Sequence, residues 1–182
     1  MTTNTWNIDP THSSIAFSVR HMVFAKVRGQ FNGYRGHIDM DPENLASARV
    51  EVTIDAASID TGTAQRDEHL RSADFLDVEK HPEIHFRSTE VVKNGDDTYA
   101  LHGDLTIRDV TRPVVIDTQF AGLGQDPWGN QRAGFSASAS ILRSDFGLTW
   151  NQALEAGGVL VGDKLELTFD VQAVRAEQSQ VA

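Results

Sequence analysis

Arg20, His21, Lys26 and Arg28 gather cationic and titratable side chains in one short stretch of the chain. A guanidinium fork donates two parallel hydrogen bonds, so such residues suit phosphate or carboxylate oxygens. Arg20, His21 and Arg28 are the candidates for meeting a polar or pyrophosphate head group. The plainer reading is charge balance within an acidic protein. His81 and His85 have the spacing of two ligands on one helical turn, but Pro82 lies between them and a strand begins there. That separates their faces, and no metal site is predicted. His12 adjoins Ser13 and Ser14, yet neighbours on a strand point to opposite sides, so this is no nucleophile–base pair. Arg112, Arg143 and Asp145 flank irregular segments, where ion pairs would order loops.

The familiar catalytic patterns are missing. The chain has no GxSxG elbow, no HExxH helix and no GxxxxGK[ST] phosphate loop. It has no cysteine, which removes disulfides, thiol nucleophiles and Cys-ligated zinc together. The expectation is a protein with no catalytic residues and no required cofactor. An enzymatic alternative would need His12, His21, Arg20 and Asp145 to converge on a cavity with shifted pKa values.

The elements that must position these residues are strands. Ile15, Phe17 and Val19 alternate with Ser14, Ala16, Ser18 and Arg20. The same period of two recurs in Val50, Val52 and Ile54, in Ile84 and Phe86, and in Leu101, Gly103, Leu105 and Ile107. It returns in Val114, Ile116, Thr118 and Phe120, then in Ala133, Phe135, Ala137, Ala139 and Ile141. Leu165, Leu167, Phe169, Val171 and Ala173 carry it most clearly of all. Residues 30–40 read as a less regular strand, with Gly33 and Gly36 marking bends. Turns are expected at Asp41-Pro42-Glu43-Asn44, Asn94-Gly95 and 122–130.

Two stretches break the pattern, 57–82 and 144–162. Thr63 to Ser72 reads as a short helix, with Asp67 and Arg71 spaced for an i,i+4 pair. Phe75, Leu76 and Val78 read as apolar plugs. About eight one-sided strands predict an all-β fold, an extended eight-stranded antiparallel barrel with one or two short helices in its connections. A single domain is expected over residues 1–182, with a core of about 5–175 and a frayed tail at 176–182.

The inward faces carry Ile15, Phe17, Val19, Val50, Val52, Ile84, Phe86, Leu101, Gly103, Leu105, Val114, Ile116, Phe135, Ala137, Ala139, Leu165, Leu167 and Phe169. A packed core is the ordinary meaning of such faces. Several members are small, however, and a filled barrel would place larger side chains there to reach interior density. The two interruptions could cap an open barrel, whose mouth is a preferred ligand position. A long apolar ligand burying about 400 Å² would gain on the order of 10 kcal/mol before association costs. These residues are the predicted ligand contacts.

Further motifs carry a resemblance. They are the opening run from Trp6 to His21, Lys26-Val-Arg-Gly-Gln-Phe31, the run from Arg66 to Pro82, and Gly103-Asp-Leu-Thr-Ile-Arg-Asp-Val-Thr-Arg-Pro-Val114. Arg143-Ser-Asp-Phe-Gly-Leu148 and Val161-Gly-Asp-Lys-Leu-Glu-Leu167 complete the set. In this order they resemble the YceI-like proteins over residues 5–175. The resemblance implies a lipocalin-like barrel that carries a polyisoprenoid, an isoprenoid quinone or a fatty-acid derivative in an apolar tunnel. It also implies a possible homodimer.

The formal net charge is −10, with 26 acidic against 16 basic residues. Phosphate repulsion makes nucleic acid an unexpected partner, and it weighs against membrane docking through a general basic patch. No apolar run approaches the roughly 20 residues of a membrane helix. The N-terminal residues lack a signal-peptide pattern, so a cytoplasmic carrier is expected. The competing readings are an enzyme on an isoprenoid-like molecule and an interaction scaffold.

Overall fold

A computed structural model describes residues 3–155 and 157–177. The chain forms β1 (Asn4–Ile8), β2 (Ser14–His21), β3 (Ala25–Phe31), β4 (Tyr34–Asp41), β5 (Asn44–Asp55) and β6 (Ile59–Asp60). The helix α1 (Ala64–Arg71) follows, then β7 (Glu83–Lys93), β8 (Thr98–Ile107), β9 (Val110–Gln125), β10 (Gln131–Leu142) and β11 (Val161–Arg175). All strand pairings are antiparallel, and β1-β4-β5-β7-β8-β9-β10-β11 closes on itself because β11 also pairs with β1. This is the expected closed eight-stranded barrel with one helix, and closure removes the exposed edges of an open sheet.

Two staves of the barrel are bent. β1 and β2 are one stave interrupted by a 3-10 turn at Pro10–His12, which Asp9 caps through the Thr11 amide. β3 and β4 form the neighbouring stave, broken at Asn32-Gly33 where the sequence suggested one irregular strand. Long β11 bridges the first kink: Ala173 pairs with Ile8 of β1, while Leu165, Leu167 and Phe169 pair with Val19, Phe17 and Ile15 of β2.

The kinks give the barrel two unlike ends. At the first, strands bond to one another all the way round. Trp6, Met40, Ala133 and Ala173 pack there at 0–1% exposure, with Ile38 and Leu45 beside them. Among the described residues the Trp6 indole N–H finds no hydrogen-bond partner. At the second end the sheet runs β11-β2-β3-β6 and stops. Between β6 and β7 the wall is filled by side chains from α1 and residues 72–82. Phe75 and Leu76 are buried there.

Helix α1 has too few turns and too weak an apolar stripe to stand alone. Side-chain bonds fasten it instead. The buried Asp67 carboxylate accepts from the Thr61 amide at 2.8 Å, and Arg66 donates to the Thr61 hydroxyl and carbonyl. Arg71 donates to the carbonyls of Ala57 and Ile59. The expected Asp67–Arg71 pair does not form, because each side chain is committed to the 57–61 segment. The 3-10 turn Arg143–Phe146 and the loop to Leu160 complete this end. Of the expected frayed tail, residues 178–182 lie outside the described residues. Ala176 still donates to the Thr5 carbonyl.

Candidate functional site

An apolar cavity of about 280 Å³ runs through the barrel. On β11 its wall extends from Val161 to Val171. Ten residues at about 3.3 Å each, tilted about 40° as barrel strands are, give a length of roughly 25 Å. That length suits an extended chain lying along the barrel axis. The exposed wall is apolar throughout.

Alternation places the predicted contacts on this wall. From β2 come Ile15, Phe17 and Val19; from β5, Val50 and Val52; from β7, Ile84 and Phe86. β8 and β9 supply Leu101, Leu105, Val114 and Ile116. β10 and β11 supply Phe135, Ala137, Ala139, Leu165, Leu167 and Phe169. Gly103 is the exception. A side chain there would collide with the Phe86 ring and the Arg87 carbonyl, so the glycine seats that ring and stays off the wall. Gly29 does the same under Phe17. Phe75 and Leu76, read from the sequence as plugs but not as ligand contacts, also enter the wall, and sequence reading missed Leu70 beside them and Met40 and Leu45 at the closed end.

The proposed head-group residues do not reach the cavity. Arg20 and Arg28 are exposed on the outer face of β2 and β3, and half-buried His21 sits at the rim without lining the channel. For Arg20 and Arg28 the reason is strand parity, since their neighbours Val19 and Val27 take the inward direction; His21 has inward parity but is the last residue of β2. His12 is exposed and bonds Asp9 at 2.7 Å. Asp145 is exposed on the outside. The residues that an enzymatic reading would gather therefore stand apart. His85 bonds Thr53 on the outer face, and no group of three or more His, Asp or Glu side chains among the described residues is arranged to hold a metal ion.

Arg143 is the one charged side chain on the wall among the described residues. It is 5% exposed and has no carboxylate within ion-pair distance among the described residues. Its Nε donates to the Gly162 carbonyl at 2.9 Å; Nη1 donates to Leu148 at 2.9 Å and Trp150 at 3.3 Å; Nη2 donates to Val161 at 3.4 Å. Burial pushes the guanidinium down from its ordinary range, against the attraction of Asp163. Asp163 itself is held low by bonds from the Ser144 hydroxyl and amide. So Arg143 does order its loop, but through carbonyls and not by the ion pair expected. The guanidinium lies 6.0 Å from the Phe75 ring, which packs on Trp150 and His69. The two excursions thus meet over the cavity's second end. Tyr34, whose phenol is raised by burial and then by Asp9, also lines the wall, with Tyr99 and Thr118.

Residues 6–173 match the model of the YceI-like domain. A UPF0312 protein of Pectobacterium carotovorum is 46% identical over 164 residues, covering 90% of this chain and 82% of its own. One from Vibrio cholerae is 44% identical over 137 residues, covering 75% and 72%. The Campylobacter jejuni YCEI protein superposes with a TM-score of 0.75 at 31% identity, covering 87% of this chain and 90% of its own. Burkholderia cenocepacia BcnA reaches 0.80 at 22%, covering 91% and 98%. A polyisoprenoid binding domain from Saccharophagus degradans, implicated in plant cell wall breakdown, reaches 0.73 at 14%, covering 94% and 98%. The chain belongs to the YceI-like family.

Proposed function

We propose that the protein carries a long, single-chain apolar ligand in its barrel and performs no chemistry on it. The observation that carries this reading is the channel itself: roughly 25 Å long and apolar along its exposed wall. Such a space is costly to leave empty, since unfilled volume forfeits packing contacts. A hydrocarbon gains about 25 cal/mol per Å² on entering it. The polyisoprenoid binding named for the Saccharophagus degradans neighbour fits that class of ligand. Among the described residues no carboxylate or imidazole lines the wall, and its Tyr34, Tyr99 and Thr118 stand among apolar side chains, so the channel favours holding over reacting.

The polar end of the ligand lies beside Arg143. A guanidinium has five N–H donors, and its bonds to Gly162, Leu148, Trp150 and Val161 engage four. One Nη2 proton is left for a ligand oxygen. That suits a quinone, amide or acid oxygen better than a pyrophosphate, which would ask for several donors. Native mass spectrometry of the purified protein, with solvent extraction of its cargo, tests both statements. The expected result is a bound lipid with a small head group. Ala139→Trp, which fills the channel from β10, should remove most of that cargo while the domain stays folded. A wild-type protein that purifies empty and takes up no prenyl or acyl chain would overturn the reading.

A further inference from the structure

Three unfavourable features coincide at the β2–β3 hairpin. Arg20 stands directly opposite Lys26 in the strand register, and Arg28 follows on the same side. Like charges placed opposite one another destabilise a strand pair. Arg20 and Arg28 have no ion-pair partner among the described residues, and Lys26 feels only the distant attraction of Glu166, itself bonded to Lys164. The turn is strained as well: Met22 and Val23 lie in the left-handed region at φ 53° and 69°. For a β-branched residue that conformation is a genuine outlier. Finally, the turn exposes its apolar side chains, with Met22 at 50%, Val23 at 53% and Phe24 at 92%. Val159 at 47% extends the patch, because the Met22 amide bonds the Leu160 carbonyl.

An Asn-Gly turn with mixed charges would avoid all of these features. Among the described residues no ion pair offsets the charges on the stem, and the three apolar side chains of the turn stay exposed. We propose that the Met22–Phe24 turn inserts into the surface of a bilayer containing anionic lipids, with Arg20, Lys26 and Arg28 on the headgroup phosphates. An apolar tip ringed by cations is the composition that interfacial binding requires. The formal charge of −10 turns the rest of the molecule away from such a surface, so contact is end-on. The hairpin borders the plugged end of the barrel, next to the loop that Arg143 holds. The role of docking rests on the carrier reading: cargo would pass from bilayer to channel at this end without crossing water. Three apolar side chains give a reversible contact, which a carrier needs.

Flotation of the full chain with vesicles tests the proposal, comparing phosphatidylcholine alone with a phosphatidylcholine–phosphatidylglycerol mixture. The wild type should float with the mixture, less with phosphatidylcholine, and less again at high salt. Phe24→Asp should reduce flotation about tenfold or more, and Arg20→Glu with Lys26→Glu should remove the preference for the anionic lipid. Phe24 is exposed, so its variant should keep the wild-type circular dichroism. Trp128→Ala, at the opposite end, should float like the wild type. No flotation by the wild type, or equal flotation by Phe24→Asp, overturns the proposal. A Phe24-dependent dimer in sedimentation velocity, without flotation, overturns it in favour of a second copy. Cargo read by native mass spectrometry separates the two ideas. An empty channel with normal flotation sinks the carrier and keeps the docking; a loaded channel without flotation does the reverse.

Discussion

The two β-hairpin tips at opposite ends of the barrel are both exposed and apolar, yet they are built in opposite ways. At the closed end the turn from β9 to β10 is wired to itself and to the barrel. Asp126 accepts from the amides of Trp128 and Asn130, and from Arg132, which also reaches Asp9 at 2.9 Å. Its positive φ falls on Gly129, where it carries no strain. At the plugged end the Met22–Phe24 turn has positive φ on Met22 and Val23, and its stem sets Arg20 opposite Lys26 with no ion pair to either among the described residues. Local satisfaction marks an end that only has to stay shut. Local strain and exposure mark an end that meets something else.

The same contrast runs through the walls. Strand ladders surround the closed end, whereas the plugged end depends on side chains reaching carbonyls. Arg143→Met should therefore be among the most damaging single changes, costing about 3 kcal/mol by urea denaturation, because it leaves buried carbonyls without donors. Arg132→Met at the closed end removes a partly exposed pair and should cost clearly less than that. Equal losses would erase the distinction between the ends.

Hydrogen exchange sharpens it further. Amides in 57–82 and 144–160 should exchange through local opening well before those of β1, β4 and β11, since few ladder bonds hold the excursions. Added cargo should slow exchange at the plug more than at the closed end. Uniform protection around both ends would mean that the plug is no gate.

Most of the wall was legible in the sequence because a period of two assigns each strand residue to a face, and burial fixes which face is inward. Ala137 and Ala139 reach the channel by that rule alone. The same rule already placed Arg20 outside, in alternation with Val19; no strand was read over 25–29, so the outward parity of Arg28 appears only in the register of β3. Their cationic character suggested a head-group role that parity forbids. Gly103 kept inward parity but lost its place to the Phe86 ring, a neighbour on the adjacent strand that spacing along one strand does not reveal. Arg143 was visible only as a residue flanking an irregular segment. Its burial depends on carbonyls near 148 and 162, and on Phe75 from the other excursion. Irregular loops carry no period from which such meetings can be read.

Acid should separate the ends at smaller amplitude. The bonds from Arg132 and then His12 hold the Asp9 carboxyl well below its usual range. Burial raises Asp126, but bonds from the Asn130 amide, Arg132 and the Asn130 side chain outweigh it, and its net direction is also down. A depressed carboxylate contributes stability that is present above its unfolded pKa, near 3.9, and lost as pH falls toward the folded value. Wild-type stability should therefore drop below about pH 4. Asp9→Asn should lose about 1 kcal/mol at neutral pH and show a shallower acid slope in urea melts taken across that window. A wild-type slope in the variant would mean that the Asp9–Arg132 pair does not hold the closed end.

The smallest effect expected is at Trp128. Its side chain is 81% exposed, and its turn is held by Asp126 accepting from the main chain. Trp128→Ala should shift stability by no more than about 0.5 kcal/mol and leave both cargo and vesicle flotation unchanged. An exposed tryptophan is by itself a common membrane-surface residue, so this variant is a strict control. Loss of flotation in Trp128→Ala would show that the barrel docks by its closed end, where the carboxylates of Asp126 and Asp9 face the same anionic surface. Coulomb repulsion opposes that orientation, whereas the cations of β2 and β3 favour the other. Charge, rather than apolar exposure, is then what assigns the two tips their different roles.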